Sequence, residues 1–524
     1  MQRAVSVTPV VKRELLLEAG SIRTLDSAAP LVDRLAVSGS QIAAEPGPRA
    51  QRIDLRGACV LPGFNDSHVH FPTWSLTRRQ VRLEDARSRA DALERVGWAL
   101  REVTPGTWLR GYGWREADWA EPPSRGALDA VAGDVPVALM SKDYHSLWVN
   151  SAALARADAP LDVPGGVVER DEHGDPLGVL RETAAWSFRD RYLVPTLDEM
   201  VDACRHGLAV AAERGVTAVH DKDGWMGAFE AFQRLHEGGE LTLRVWQSLP
   251  ADRLGDLRAV GLRSGFGDDW LRLGYLKAFM DGTLGSATAR LLDGSGVEVT
   301  SGERLAEIVR EAAAAGWPVA VHAIGDAANR SALDAFEATA DGWRPVGLRQ
   351  RIEHAQLLDP AEVRRFGALG VTASVQFSHA PSDRDLADRF WEGRPGAYAY
   401  RSLLDAGARL ANGSDAPVEE LDPLQGLVAA VLRTLDERPP WRPDQAIELH
   451  QALRSICLEP VWLAHDEKKR GTLVCGKLAD LVVLNRDPYT CSREELGGIE
   501  VLATMVGGSW TYISEEAPKG IGEA

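Results

Sequence analysis

Six side chains that bind metal ions or stand beside them recur along this chain, each closing what reads as a β-strand. His68 and His70 lie in LPGFNDSHVHF, Lys277 in LRLGYLKAF, His322 in WPVAVHAIGD, His354 in RQRIEHAQ and Asp415 in ARLANGSDAP. Few folds bring six strand ends together. A parallel (β/α)₈ barrel does, because the C-terminal ends of all its strands surround one opening, where active sites sit.

The spacing supports such a barrel. About 250 residues over eight units gives roughly 31 residues per βα unit. His322 to His354 is 32 residues, one unit, and His354 to Asp415 is 61, two units, with VTASVQF (371–377) as the strand between. Before Lys277, LTLRVWQSL (241–249) and GVTAVHD (215–221) supply two earlier strands. Numbered from His70, the six residues fall on strands 1, 4, 5, 6 and 8. One step is anomalous: His70 to His220 covers 150 residues, which calls for an insertion of roughly 120 residues after strand 1 on the same unit length. The predicted fold is an α/β TIM-type barrel over 61–460, with the insertion at about 72–185.

The flanks have another texture. Residues 10 to 60 hold short strand-like runs separated by Gly, Ser and Pro turns, and GTLVCGKLADLVVLNRDP with VLATMVGGSWTYIS near the C-terminus are similar. Neither piece alone buries much apolar surface. Residues 1–60 and 461–524 are therefore expected to build one small β-sandwich from both chain ends. The final EEAPKGIGEA reads as a frayed tail. In the insertion, RSRADALERVGWALREV reads as helix and DVPVALMSKD as a strand. Seven tryptophans, at 74, 98, 108, 114, 119, 148 and 186, lie at or near it. Trp114 is taken as a candidate substrate contact, although a lobe core would use most of these rings equally well.

A net charge of −17 argues against nucleic acid or an anionic membrane as partner and leaves a small molecule as the expected one. There is no apolar run long enough to span a bilayer. The first twenty residues, interrupted by Pro9, lack a cleavage-site pattern. Five cysteines without C-x-x-C spacing fit reduced thiols in a cytoplasmic protein.

His-x-His at a strand end places two imidazoles on one face. Joined by His322, His354 and Asp415, they form a ligand set that suits Zn²⁺, with Mn²⁺, Fe²⁺, Co²⁺ or Ni²⁺ as alternatives. Lys277 cannot ligate as an ammonium, and a buried unpaired charge is costly. Either it is carboxylated by CO₂, giving a carbamate that bridges two metals, or it stays charged beside an acid such as Asp281; the carbamate is preferred. Asp415 is expected to handle the proton, since water on a divalent ion has its pKa drawn down to about 7. His145, in SKDYHSLWVNSAAL, is placed at the pocket as a catalytic or substrate contact. His220, with Asp221, and His379 are further substrate-contact candidates. His173, His206, His236, His450 and His465 read as solvated, and Asp326 as the N-cap of the helix after His322.

With these motifs in place the chain resembles the amidohydrolase superfamily, in its amidohydrolase 3 or YtcJ-like branch. KAFMDGTLGS, VAVHAIGDAANRSALDAFE, RQRIEHAQLL, VTASVQFSHAPSD, RSLLDAGARLANGSDAPV and GKLADLVVLNRDP carry the likeness, with DYHSLWVNSAAL and GVLRETA in the insertion. The resemblance implies a metal-dependent hydrolase of C–N bonds other than peptide bonds, similar to N-substituted formamide deformylases. All six ligand positions of that family are occupied by the expected types, and the leading reading is a binuclear site, expected to hold two Zn²⁺ ions with a carboxylated Lys277; a homodimer is common in such folds. Three positions depart from the pattern: Tyr144 stands where glycine is common, Asn412 replaces an aromatic, and Cys475 a proline. The competing readings are a mononuclear hydrolase or deaminase on the same barrel, and a catalytically inactive scaffold.

Overall fold

A computed structural model describes residues 14–104, 106–225 and 227–522. The reading of the extreme N-terminus concerns residues 1–13 and lies outside them. The chain divides into two compact units: residues up to 65 with 209–217 and 461 onward, and residues 66–208 with 218–460.

The barrel strands are β1 (Phe64–Val69), β2 (Val216–Asp221), β3 (Arg244–Pro250), β4 (Leu271–Phe279), β5 (Val319–Ala323), β6 (Arg351–His354), β7 (Thr372–Val375) and β8 (Leu410–Asn412). They form one eight-stranded sheet in sequential order, with parallel pairing along β2 to β8. Helices such as Gly302–Ala315, Asp326–Glu337 and Pro360–Leu369 separate successive strands. That alternation is the βα unit, in which a crossover helix covers the outer face of a parallel sheet.

Between the first and last strands the ring is closed by backbone bonds just beyond β8. Asp415 N–H donates to the His68 carbonyl (2.7 Å) and His70 N–H to the Ala416 carbonyl (2.9 Å). Asp66 adds a side-chain staple, its carboxylate accepting from the Ser414 N–H at 3.0 Å. The approach is so close that a Cβ on Gly413 would lie 2.4 Å from the His68 nitrogen, which only glycine avoids.

The insertion is more regular than its sequence suggests. Six strands pair in the spatial order Gly166–Arg170, Pro176–Glu182, Ser146–Val149, Val137–Ser141, Leu109–Trp114 and Val81–Arg82. Ala92 and Val96 of helix Arg89–Ala99 and Leu128 of Arg125–Ala132 cover one face, sharing a core with Trp114, Trp119 and Trp148.

Strands from both chain ends join one hydrogen-bonded path, from Ser509–Ile513 through Cys59–Pro62 to Gln41–Ala43. Leu35, Val37 and Ile42 near one end of that path share a core with Leu502 and Met505 near the other. The sheet thus packs on itself as a sandwich does, without separating into two sheets. The expected frayed tail is a correction: Ile521 is buried in this core, and Gln51 donates to the Gly520 carbonyl at 2.8 Å. An apolar side chain one turn from the end suffices to dock it.

Candidate metal centre

The C-terminal ends of the barrel strands and one edge of the insertion enclose a cavity of about 680 Å³, lined by His68, His70, Lys277, His322, His354 and Asp415 at one end. His68, His354 and Asp415 each offer a ligand atom within 4.8 Å of the others. The His354 ring lies 4.5 Å from that of His322 and 4.8 Å from that of His68, and the His68 and His70 rings are 5.6 Å apart. All six residues predicted from strand ends therefore meet in one place.

Each histidine is oriented through its other ring nitrogen. His68 Nδ1 lies 2.7 Å from Glu353 Oε2, His70 Nδ1 2.7 Å from Asp223 Oδ1, and His354 Nδ1 2.9 Å from Gln376 Oε1. In these three the Nδ1–H donates, which leaves Nε2 with a lone pair. His322 is turned the other way, with Nε2 3.1 Å from the Gly282 carbonyl.

The arrangement fits a cation. His68 Nε2 has no hydrogen-bond partner yet sits 3.1 Å from Asp415 Oδ1, so two lone-pair atoms face each other with no proton assigned between them. Burial pushes the His68, His322 and His354 imidazoles below their usual pKa, far below for the latter two. Neutral rings are what metal binding requires. Burial alone would raise the Asp415 carboxyl, but His68, His354 and His70 hold it well below the usual range.

Lys277 is 3% exposed, and its Nζ has no hydrogen-bond partner; it lies 4.6 Å from the Phe279 ring centroid. Burial draws its pKa down to about 8. The alternative pairing with Asp281 is not what the structure holds. Asp281 instead accepts backbone N–H groups of Ile324 (3.0 Å), Gly325 (2.8 Å) and Arg290 (2.9 Å), tying the β5 turn to the loop after β4. A second buried lysine, Lys222, differs in having Glu353 Oε1 at 3.2 Å.

The insertion supplies the opposite wall. His145 enters the cavity 5.4 Å from the His322 ring, with Nδ1 2.6 Å from Glu182 Oε2. Burial pushes its pKa down, but Glu182 and Asp143 outweigh that and leave it raised. Trp186 packs 4.9 Å from His145 and 5.3 Å from Phe279, and Trp225 lies 5.9 Å from His70. His379 stacks parallel to His354 at 6.5 Å and takes a hydrogen bond at Nδ1 from the Gln356 amide (3.1 Å).

Two candidates sit elsewhere than expected. His220 does not line the cavity; it is buried inside the barrel, where Arg351 Nη1 donates to its Nδ1 at 3.1 Å. Trp114 borders the cavity but is 1% exposed, its ring packed among Trp119 and Trp148 and its N–H given to the Leu139 carbonyl at 2.7 Å. Asp326 is the first residue of its helix and Gly325 the N-cap; the Asp326 carboxylate accepts from Leu292 N–H and pairs with Arg394. His173, His206, His450 and His465 are exposed, and His236 pairs with Asp268 at 2.8 Å.

The residues that orient the histidines, Glu353, Asp223, Gln376 and Glu182, were not singled out from sequence. Their signal is position: each stands at or within two residues of a strand end. Strain also concentrates here. His354, Asp415, Tyr144 and Glu182 have φ of 74°, 59°, 61° and 53°, a left-handed conformation that non-glycine residues adopt at a cost of about 1–2 kcal/mol.

Comparison with known proteins gives a consistent picture. A model described as Amidohydrolase family matches residues 51–512. Protein LONG AFTER FAR-RED 3 of Arabidopsis thaliana is 32% identical over 97% of this chain and 93% of its own length. Putative amidohydrolase YtcJ of Bacillus subtilis (strain 168) is 30% identical, covering 89% and 91%. N-substituted formamide deformylase of Arthrobacter pascens is 28% identical, covering 95% and 98%. Among solved structures, an uncharacterized metal-dependent hydrolase from Pyrococcus horikoshii OT3 superposes with a TM-score of 0.75 at 27% identity, covering 92% and 99%.

Proposed function

The chain belongs to the amidohydrolase family, and from that premise we propose that it hydrolyses a non-peptide C–N bond of a small molecule, with divalent metal bound at the barrel mouth. The observation that carries this reading is the unpartnered His68 Nε2 facing Asp415 Oδ1 within the His68, His354, Asp415 cluster. The likeness to an N-substituted formamide deformylase over nearly the whole chain favours an amide-type bond.

His68, His70, His322, His354 and Asp415 would hold the metal, expected to be two Zn²⁺ ions. A divalent ion there supplies Lewis-acid polarisation of a carbonyl and makes water a nucleophile near neutral pH. Asp415 Oδ1 faces His68 and His70, and Oδ2, with no side chain closer than His354 Nδ1 at 3.8 Å among the ion pairs of the described residues, would accept the proton of the attacking water and return it to the leaving nitrogen. In its protonated form, which Glu182 and Asp143 favour, His145 gives Nδ1–H to Glu182 and has an Nε2–H to donate to the carbonyl oxygen as negative charge builds there. Trp186, Phe279 and Trp225 flank the substrate and thin the water around it.

Lys277 supports the binuclear form. An ammonium with no hydrogen-bond partner is expensive to bury, and a pKa near 8 leaves part of the amine neutral and nucleophilic. Its nitrogen lone pair bonds to the carbon of CO₂ and a proton is released, giving an anionic carbamate. That product is a ligand where the ammonium is not.

A metal-replete screen of N-formyl amines, N-acyl amines, lactams and cyclic ureas, with metal analysis of the same samples, tests the reading. Turnover that disappears on chelation and returns with added metal is expected. Protein that binds no metal, or that hydrolyses none of these classes, counts against it. Two ions per chain favour the carbamate; one favours a mononuclear site.

A further inference from the structure

One side chain on the cavity wall has no part in the reaction just described. Tyr144 sits between Asp143 and His145 with φ at 61°. A bulky residue in that region persists only where its surroundings hold it there. The surroundings do so through its neighbours. Asp143 accepts from Thr283 Oγ1 (2.6 Å) and Ser286 Oγ (2.7 Å), His145 is fixed by Glu182, and the Trp186 indole donates to the Tyr144 carbonyl at 3.0 Å.

Tyr144 packs its ring against the insertion core that includes Tyr112 and Met140. Its half-buried ring lines the cavity 6.0 Å from the Tyr112 ring, and its hydroxyl has no hydrogen-bond partner among the described residues. Burial, then Tyr112 and Asp223, keep the phenol far above its ordinary pKa, so it remains a neutral donor. Three cations around this part of the cavity are already paired: Lys142 with Glu419 (2.8 Å), Arg181 with Glu116 (2.5 Å) and Arg189 with Asp190 (2.7 Å). Besides the flat apolar surface of Trp186 and Trp225, this part of the wall offers a ligand two unpartnered donors, the Tyr144 phenol and the Trp225 indole N–H.

We propose that Tyr144 is a specificity-determining residue, whose ring packs against the flat aromatic N-substituent of an uncharged amide and whose hydroxyl donates a hydrogen bond to that substrate. The substrate class rests on the hydrolase reading above; the role of Tyr144 in binding does not require turnover. The strained backbone is then the cost of presenting a ring at this point of the wall.

The test compares wild-type protein with Tyr144→Phe, Tyr144→Gly and Tyr144→Asn, the last two suited to a left-handed backbone. Acetanilide and N-methylacetamide are the aromatic and small probes. Binding is read by titration calorimetry with and without added Zn²⁺, beside metal content, melting temperature and hydrolysis. Tyr144→Gly and Tyr144→Asn should weaken acetanilide roughly tenfold, from the lost ring contact and hydrogen bond. N-methylacetamide should change much less, with metal content unchanged. Tyr144→Phe should fall between. Failure of acetanilide to bind the wild-type protein overturns the proposal, as does equal binding by all four proteins. A fall in melting temperature with unchanged probe preference would assign Tyr144 to structure alone. If acetanilide binds with the expected ranking but no amide is hydrolysed, the reaction reading fails and the Tyr144 assignment stands. Hydrolysis with the same preference in every variant gives the reverse.

Discussion

The two sides of the cavity are held in different ways. On the barrel side, His68, Lys277, His322 and His354 belong to paired parallel strands, and each histidine is fixed through its second nitrogen by a buried acceptor. On the insertion side, Tyr144 and His145 occupy a turn between two short strands, and Trp225 a loop after β2. Backbone pairing over-determines the first set, so its geometry suits chemistry that tolerates little displacement. Side-chain bonds to Asp143 and Glu182 hold the second set, which can change residue by residue without disturbing the barrel. The contrast predicts that barrel-side substitutions act on metal and turnover, and insertion-side ones, His145 apart, on substrate preference.

The largest effect that could break this contrast lies at the proposed metal ligands. His68→Ala or His354→Ala should lose bound metal and bring turnover to background while circular dichroism stays unchanged. Plasma mass spectrometry with a turnover assay checks it, and a His68→Ala protein with full occupancy and full turnover would sink the assignment. Asp415→Asn should be milder on metal than on rate. Asparagine still offers an oxygen but cannot carry the proton, so kcat should drop by ~10²-fold or more, as for other general acid–base groups.

Lys277→Ala should take the metal content from two ions to one and slow turnover, and intact-mass measurement in bicarbonate should find the carbamate on wild-type protein only. Smaller still is Glu353→Gln. Glu353 is set between His68, Arg351 and Lys222, with Arg351 Nε 2.6 Å away; the two cations and the hydrogen bond to His68 keep its carboxyl ionised against burial. Removing the charge should weaken metal binding by about 10–100-fold, the usual range for groups that orient a ligand. Equal metal affinity in wild type and Glu353→Gln would show that the His68 ring is held by packing alone.

Much of the barrel side could be read from sequence because two signals coincide there. Apolar runs mark the strands, and each run ends on a residue type rare in such surroundings, so the period and the chemistry confirm one another. The orienting groups escaped because Glu353 or Asp223 is a residue type that surfaces also use, and only its neighbour across the barrel gives it meaning. Asp281 misled for the same reason: it is four residues from Lys277, but three backbone N–H groups claim its oxygens. The insertion was harder. Its strands run from two to seven residues, and Val81–Arg82 pairs with Leu109–Trp114 far along the chain. Propensity and period say little about segments that short. Clustered tryptophans pointed to the lobe without saying which ring faces the cavity.

That last ambiguity gives the smallest and most discriminating prediction. Trp114 and Trp186 have the same chemistry in the same lobe. Trp114 is walled in by Trp119 and Trp148, whereas Trp186 packs edge-on against His145 and at a tilt against Phe279 at the cavity edge and gives its N–H to the Tyr144 carbonyl. Trp114→Ala leaves a cavity in a packed core and should cost about 3–5 kcal/mol of stability, with KM unchanged in whatever protein still folds. Trp186→Ala should leave both ions bound and lower the melting temperature less. It should raise KM by roughly tenfold for substrates with aromatic substituents, the scale of one lost ring contact. Thermal melts and paired kinetics separate the two outcomes. If Trp114→Ala moves KM while Trp186→Ala moves only stability, the insertion presents a different face to the substrate, and the division between a barrel that does chemistry and a lobe that selects would have to be redrawn around Trp114.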